Sequence, residues 1–432
     1  MTVSEIKKTI KDGGIDKTLQ EGLAVPEKNI EAERARYIKA ADEFLALYGD
    51  GDVSVYSVGG RTEVSGNHTD HNYGRVIAAS VNLDIIAFVK KRDDGIISLT
   101  SEGFDPDYVT PDAIESPDKK TMFHSPSLIA GMEHAFRDAG YNIGGFDAYT
   151  TSSVLKGSGI SSSAAFEVMV GNILNYLYND GKVSNVEIAK MAQFSENVFF
   201  GKPCGLMDQT ACAVGGFITI DFCDPKSPVI EKIDFDLTKA GYNLCIVNTG
   251  GNHSDLNDDY ASIPAEMKSV ARELGATVLR EITAEKLKKA LAERGEELRE
   301  KLGDRAILRA FHFLSENERV DAQVKALRSG NVDGFMKGVV ESGNSSFKYL
   351  QNVYTTKNVA EQGLSLALCL TEDYLRGTRG VCRVHGGGFA GTIQAFVPTE
   401  LTEEYARMID GVFGDGACHI LSIRKNGACR II

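Results

Sequence analysis

The chain has 432 residues, with 47 basic and 60 acidic side chains and a formal net charge of -13. Such an acidic balance argues against binding to a nucleic-acid backbone or an anionic membrane, although a locally positive pocket for a small anion remains open. The composition, 43% hydrophobic and 25% charged, is that of a globular protein, and the length implies two or three domains.

The N-terminal stretch "MTVSEIKKTIKDGG" is polar, and no run of 18 or more apolar residues follows, so a cytoplasmic protein is expected. Residues 1–50 have helical spacing, ending at Gly49. "VSVYSVGGR" alternates as a strand, with Gly59 and Gly60 expected to end it. Residues 75–102 are rich in β-branched side chains and carry a turn at Asp94-Gly95, which predicts a hairpin or meander. Helices are expected over residues 125–140, 163–178 and 185–199. The charged run from residue 264 to 343 reads as solvated helix. Strands are expected at "FDAYTTSSV", "GGFITIDFC", "NLCIVNTG" and "ACHILSI". A composition shift near residue 225 predicts two domains, 1–225 and 226–432. The eight cysteines contain no C-x-x-C pair and read as reduced, mostly buried thiols.

Four stretches carry chemistry. "LKGSGISSSAAFEVMVG" places glycines and three serines where a loop becomes a helix. Unpaired N–H groups and the positive end of the helix dipole lie there. A phosphate site and a simple helix cap both fit, and the pattern is neither a Walker A loop nor a dinucleotide fingerprint. "GRTEVSGNHTDHNYGRV" gathers donors and acceptors that suit a polyhydroxylated ligand. A metal held by His68, Asp70 and His71 is the less favoured reading of that cluster. "SENVFFGKPCGLMDQTACAVGG" offers Glu196 and Asp208, the latter either a helix cap or a pocket-facing base. "HGGGFAG" requires either close backbone approach to a ligand or a sharp bend.

In this order, "GRTEVSGNHTDHN", "KGSGISSSAA", "PCGLMDQ" and "GGGFAG" resemble the GHMP small-molecule kinases, the galactokinases among them, over residues 51–432. The resemblance implies an α/β (α+β type) two-domain kinase with its active site in the interdomain cleft, and ATP and Mg²⁺ as its requirements. Gly157, Ser158, Gly159, Ile160, Ser161, Ser162 and Ser163 would cradle the ATP phosphates, supported by Gly386, Gly387 and Gly388. Ser163 and Glu196 would hold Mg²⁺. Asp208 would receive or orient the proton of an anomeric hydroxyl beside Arg61. Asn67, His68, Asp70, Gly205 and Tyr260 would contact the sugar. These expectations describe an ATP-dependent sugar 1-kinase acting on a hexose, with D-galactose first.

Galactokinases usually read "GEHTDYN" where this chain reads "GNHTDHN". Asn67 thus replaces a glutamate that resembles the contact for the sugar 6-hydroxyl, and His71 replaces tyrosine. An amide at 67 still accepts a hydrogen bond and repels a carboxylate less. N-acetylgalactosamine and galacturonate therefore stand as alternative substrates. A non-catalytic sugar sensor is a further alternative, disfavoured because Ser163, Glu196 and Asp208 are all present.

Overall fold

The computed structural model describes residues 1–154, 160–202, 204–251 and 256–432. Its strands are β1 (Val53–Ser65), β2 (Arg75–Lys91), β3 (Ile97–Ser101), β4 (Asp107–Val109), β5 (Phe146–Ser152), β6 (Phe217–Asp221), β7 (Val229–Ile233), β8 (Tyr242–Asn248), β9 (Val381–Val384), β10 (Thr392–Pro398), β11 (Cys418–Leu421) and β12 (Cys429–Arg430). Its helices are α1 (Val3–Lys11), α2 (Ile30–Tyr48), α3 (Ser125–Asp138), α4 (Ser162–Tyr178), α5 (Asn185–Phe194), α6 (Met207–Val214), α7 (Asn257–Glu273), α8 (Ala284–Leu302), α9 (Asp304–Arg328), α10 (Val332–Ser345), α11 (Gly363–Tyr374) and α12 (Thr402–Phe413).

One sheet runs β12-β1-β2-β5-β3-β4, with β6 also on β2 and β7 on β6. β2 is long enough to carry two partners on the edge away from β1: residues 75–79 pair with β6 and residues 85–91 with β5. Side chains alternate across such a sheet. Val53, Val55, Ile86 and Phe88 pack in one cluster with Tyr37 and Phe44 of α2. Tyr56, Val58, Ala87 and Val89 pack in another with α3 to α6. Packing on both faces leaves β1 buried along its whole length and β2 along most of it. The second sheet, β11-β8-β10-β9, packs on α11 and α12, while α7, α8 and α9 share a further cluster.

Two local expectations fail for physical reasons. β1 does not stop at Gly59-Gly60 but continues to Ser65. Those glycines serve close packing: a Cβ on Gly59 would stand 2.5 Å from the Val81 carbonyl, and one on Gly60 2.6 Å from Ile160 Cγ2. The pairing with β2 shifts register between Gly59 and Arg61, which re-aims the following side chains. Nor do β2 and β3 form a hairpin, because β5 lies between them, antiparallel to β2 and parallel to β3. Among the described residues no helix is long and apolar enough to cross a membrane.

Candidate active site

Arg61 enters the site from β1, just past the register shift. Its Nε donates to Asp208 Oδ1 and its Nη2 to Asp208 Oδ2, each at 2.7 Å, a two-pronged pairing. Asp208 stands in the first turn of α6, where the helix dipole favours an anion. It does not cap that helix. Its Oδ2 also accepts the Ser161 hydroxyl, and its side chain remains 31% exposed. Burial raises the Asp208 carboxyl, but the Arg61 charge and the bonds from Arg61 and Ser161 outweigh it and hold the group below the ordinary carboxylate value. The outcome is an ionised, partly open carboxylate on a rigid cationic support.

Ser161 has φ +56° and precedes α4, and Ile160 accepts the Arg61 backbone N–H at 3.1 Å. The serine stretch is therefore stitched to β1 and to Asp208 at once. Ser162 and Ser163 open α4. Gly157, Ser158 and Gly159 lie outside the described residues.

Ser163 precedes Glu167 by one helical turn, so both project from the same side of α4. Gln209 Nε2 donates to Glu167 Oε2 at 3.2 Å and to Glu196 Oε2 at 2.9 Å, gathering the two carboxylates. Glu196 sits in the π-helical turn Ser195–Phe200, with Lys202 Nζ 3.3 Å from its Oε1. Burial, then the nearby Glu196, pushes the Glu167 carboxyl well up, and Glu167 Oε1 is buried with no partner. The orphaned Glu167 oxygen beside the Glu196 carboxylate offers hard oxygen donors of the kind a magnesium ion takes. Among the described residues no group of three or more His, Cys, Asp or Glu side chains forms a metal cage, the His68, Asp70 and His71 cluster included.

The first glycine motif leaves β1 at Gly66, whose φ of +94° and 2.4 Å approach to the Arg75 carbonyl exclude a side chain. Asp70 is partly exposed and its Oδ2 faces Gly205, where a Cβ would come within 2.6 Å. His68 Nε2 lies 2.9 Å from the Gly387 carbonyl, and the Tyr260 hydroxyl donates to the Gly388 carbonyl at 2.9 Å. Burial, then the neighbouring His71, lowers the His68 imidazole to about 4. The motif around Asp70 and the triple glycine loop thus meet in one place. Asn67 differs from its neighbours: it is fully buried, and its amide is bonded on every side within the protein.

Several contributors were not among the expected site residues. Arg383 is wholly buried in β9 and reaches Glu63 Oε1 at 3.3 Å and the Val64 carbonyl at 3.1 Å. A charged residue inside the apolar strand "VCRV" was the available clue. His385 accepts the Glu63 N–H at Nε2 (3.3 Å) and faces Thr392 through Nδ1 (2.9 Å). Burial, then the Arg61 and Arg383 charges, lowers it to about 3. Glu316 on α9 accepts the Gly66 N–H at 3.1 Å and the Ser342 hydroxyl at 2.5 Å.

Residues 127–216 match the GHMP kinases N terminal domain, and residues 42–91 match the galactokinase galactose-binding signature. The chain is 32% identical to galactokinase of Streptomyces coelicolor over 380 residues, covering 86% of this chain and 92% of that protein. It is 28% identical to galactokinase of Clostridium tetani, covering 82% and 86%. Its fold is similar to Lactococcus lactis galactokinase complexed with galactose, at TM-score 0.74 and 23% identity over 90% of this chain and 98% of that one. It is also similar to Methanococcus jannaschii mevalonate kinase, at TM-score 0.60 and 15% identity over 86% and 99%. With catalytic-type side chains arranged around the family's glycine motifs and a relative matched over nearly its whole length, the chain belongs to the galactokinase family of GHMP kinases, a family of phosphotransferases.

Proposed function

We propose that the protein transfers the γ-phosphoryl group of ATP to the anomeric hydroxyl of D-galactose, giving galactose 1-phosphate and ADP. The observation that carries this reading is Asp208, ionised and partly open, gripped by Arg61 and Ser161 between the serine stretch and the sugar-side motif. Galactokinase relatives at 28–32% identity supply the substrate class.

Phosphoryl transfer asks for positioning and charge neutralisation rather than covalent help. Asp208 accepts a hydrogen bond from the attacking hydroxyl and orients its lone pair towards phosphorus. Because Arg61 and Ser161 make it a weak base, it receives the proton late, as the O–P bond forms. Arg61 keeps Asp208 ionised and adds positive charge near the transferring group. The segment from Gly157 to Ser163 and the loop Gly386–Gly388 would receive the phosphates. Ser163 and Glu196, with Glu167 beside them, would hold Mg²⁺, which when bound neutralises charge on the phosphates. Asp70, His68, Gly205 and Tyr260 would form the sugar side.

Residues 1–225 and 226–432 form the two parts of this kinase in the same reading. The first contributes β1 to β6 and the second the β8 to β11 sheet, with β7 and β12 returning to the first sheet. A cytoplasmic setting with ATP and galactose as its partners completes the proposal.

ADP release measured with Mg²⁺, ATP and a panel of galactose, N-acetylgalactosamine and galacturonate tests the reading. The largest kcat/KM is expected with galactose. No ADP with any hexose would end the proposal, and a preference for either alternative sugar would replace the substrate.

A further inference from the structure

The sugar-side motif contains one residue that cannot reach a sugar without dismantling its own surroundings. A primary amide has two N–H bonds to donate and two lone pairs to accept with. Asn67 uses all of them internally. Its Nδ2 donates to Glu63 Oε1 at 2.9 Å and to the Gly386 carbonyl at 2.7 Å. Its Oδ1 accepts Asn352 Nδ2 at 2.8 Å and the Ser346 hydroxyl at 3.2 Å. The residue is 0% exposed, and His312 Nε2 holds its backbone carbonyl at 2.9 Å.

The partners of this amide show what it holds. Three successive glycine carbonyls of the third loop are tied down: Gly386 by Asn67, Gly387 by His68 and Asn352 Nδ2 (3.1 Å), and Gly388 by Tyr260. The Phe389 N–H closes on the Asn352 carbonyl at 2.5 Å. With the carbonyl edge fastened, the Gly386, Gly387 and Gly388 N–H groups meet no acceptor among the described residues. Unpaired backbone N–H groups of this kind are donors that an anionic phosphate can take.

We propose that Asn67 is a positioning residue that fastens the third glycine loop for nucleotide, rather than a contact for the sugar, and that Glu63 is its required partner. Glu63 Oε1 accepts both the Asn67 amide and the buried Arg383 guanidinium, so its place is set from two sides. A carboxylate at position 67 would oppose acceptor to acceptor at Glu63 and at the Gly386 carbonyl. The Asn67→Glu change, which a sugar-contact role would expect to favour galactose, is therefore expected to damage nucleotide binding.

This inference rests on the phosphotransfer reading, and titration calorimetry separates the two. The probes are β,γ-imido-ATP with Mg²⁺ in the absence of sugar, and galactose in the absence of nucleotide. Asn67→Asp, nearly isosteric but without donors, is expected to weaken the nucleotide analogue about tenfold and galactose less, the loss expected for charge-linked hydrogen bonds. Adding Glu63→Gln restores a donor opposite the new carboxylate, and affinity is expected to recover in part in this double-mutant cycle, the Gly386 carbonyl still lacking its donor. Ser346→Ala, which removes only the weakest of the bonds to Asn67, is expected to weaken the analogue about two- to fivefold with the melting profile preserved. Weakened galactose with unchanged analogue affinity, or no recovery in the double variant, overturns the proposal. Should Asn67→Asp fail to fold, unchanged analogue affinity in Ser346→Ala overturns it alone. A parent protein that makes no ADP refutes the kinase reading instead.

Discussion

Asp208 and Arg61 make a pair whose chemistry follows from one geometric fact: both carboxylate oxygens are occupied by the guanidinium while an edge stays open. Asp208→Ala is expected to lower kcat about 10²- to 10⁴-fold, the usual worth of a positioned proton acceptor. Galactose affinity by calorimetry should stay near the parent value, whereas a loss of sugar affinity with kcat preserved would remove Asp208 from the chemistry. The pH dependence has a definite sign. With the Asp208 carboxyl held down, its ionised form persists below the ordinary carboxylate value, so kcat/KM should show no acid limb from this group above about pH 4. Arg61→Gln removes the countercharge and leaves burial, which raises the carboxyl, unopposed. Its acid limb should move to higher pH, and a limb that stays in place would contradict the pairing's electrostatic role. At this scale the sequence was legible where motif and resemblance coincide, as at Asp208 and Arg61. It was silent on Asn67's partners, because Ser346, Asn352 and Gly386 lie about 280 to 320 positions away and no local pattern encodes that meeting.

The elements carry two further predictions. Gly388 has φ +79°, and a Cβ there would come within 2.0 Å of the Asn352 carbonyl. Gly388→Ala must displace the loop, so kcat/KM should fall at least about tenfold if the loop positions phosphate as proposed, the scale of a small misplacement of such an element. Parent-like kinetics would show that the loop is not held as described. On α3, Glu133 is 2% exposed, its Oε2 has no partner, and burial pushes its carboxyl up to about 8. The stability of a fold with a raised carboxyl is fully present below the unfolded value and is lost progressively as pH rises through the folded value. Glu133→Gln should therefore gain stability over the parent between pH 5 and pH 8, on the order of 2–4 kcal/mol by urea denaturation. A difference independent of pH would show that Glu133 is solvated or paired. Helix positions were legible at this scale because the 3.6-residue period is local: α4 begins at Ser162 against an expected 163. The course of β1 through two glycines and the insertion of β5 beside β3 were not, since each depends on a distant neighbour, Val81 and Ile160 in one case and β2 in the other.

Across the whole molecule, one sheet carries Arg61 and the sugar-side motif, the helices packed on it carry Asp208, Glu167 and Glu196, and the second sheet delivers the triple glycine loop between β9 and β10. The chain end returns to the first sheet, with β12 on β1 and Arg424 buried beside Ser57 and Asp84. Composition and length indicated a globular multidomain chain but not this return, because a two-residue strand has no periodicity to read. The direct test of the central claim is ³¹P NMR of parent and Asp208→Ala, each supplied with ATP, Mg²⁺ and D-galactose. The parent should convert ATP to ADP and one sugar 1-phosphate in equal amounts, and the variant should form neither at a comparable rate. ADP without sugar phosphate, a phosphate on another hydroxyl, or undiminished conversion by the variant would contradict it.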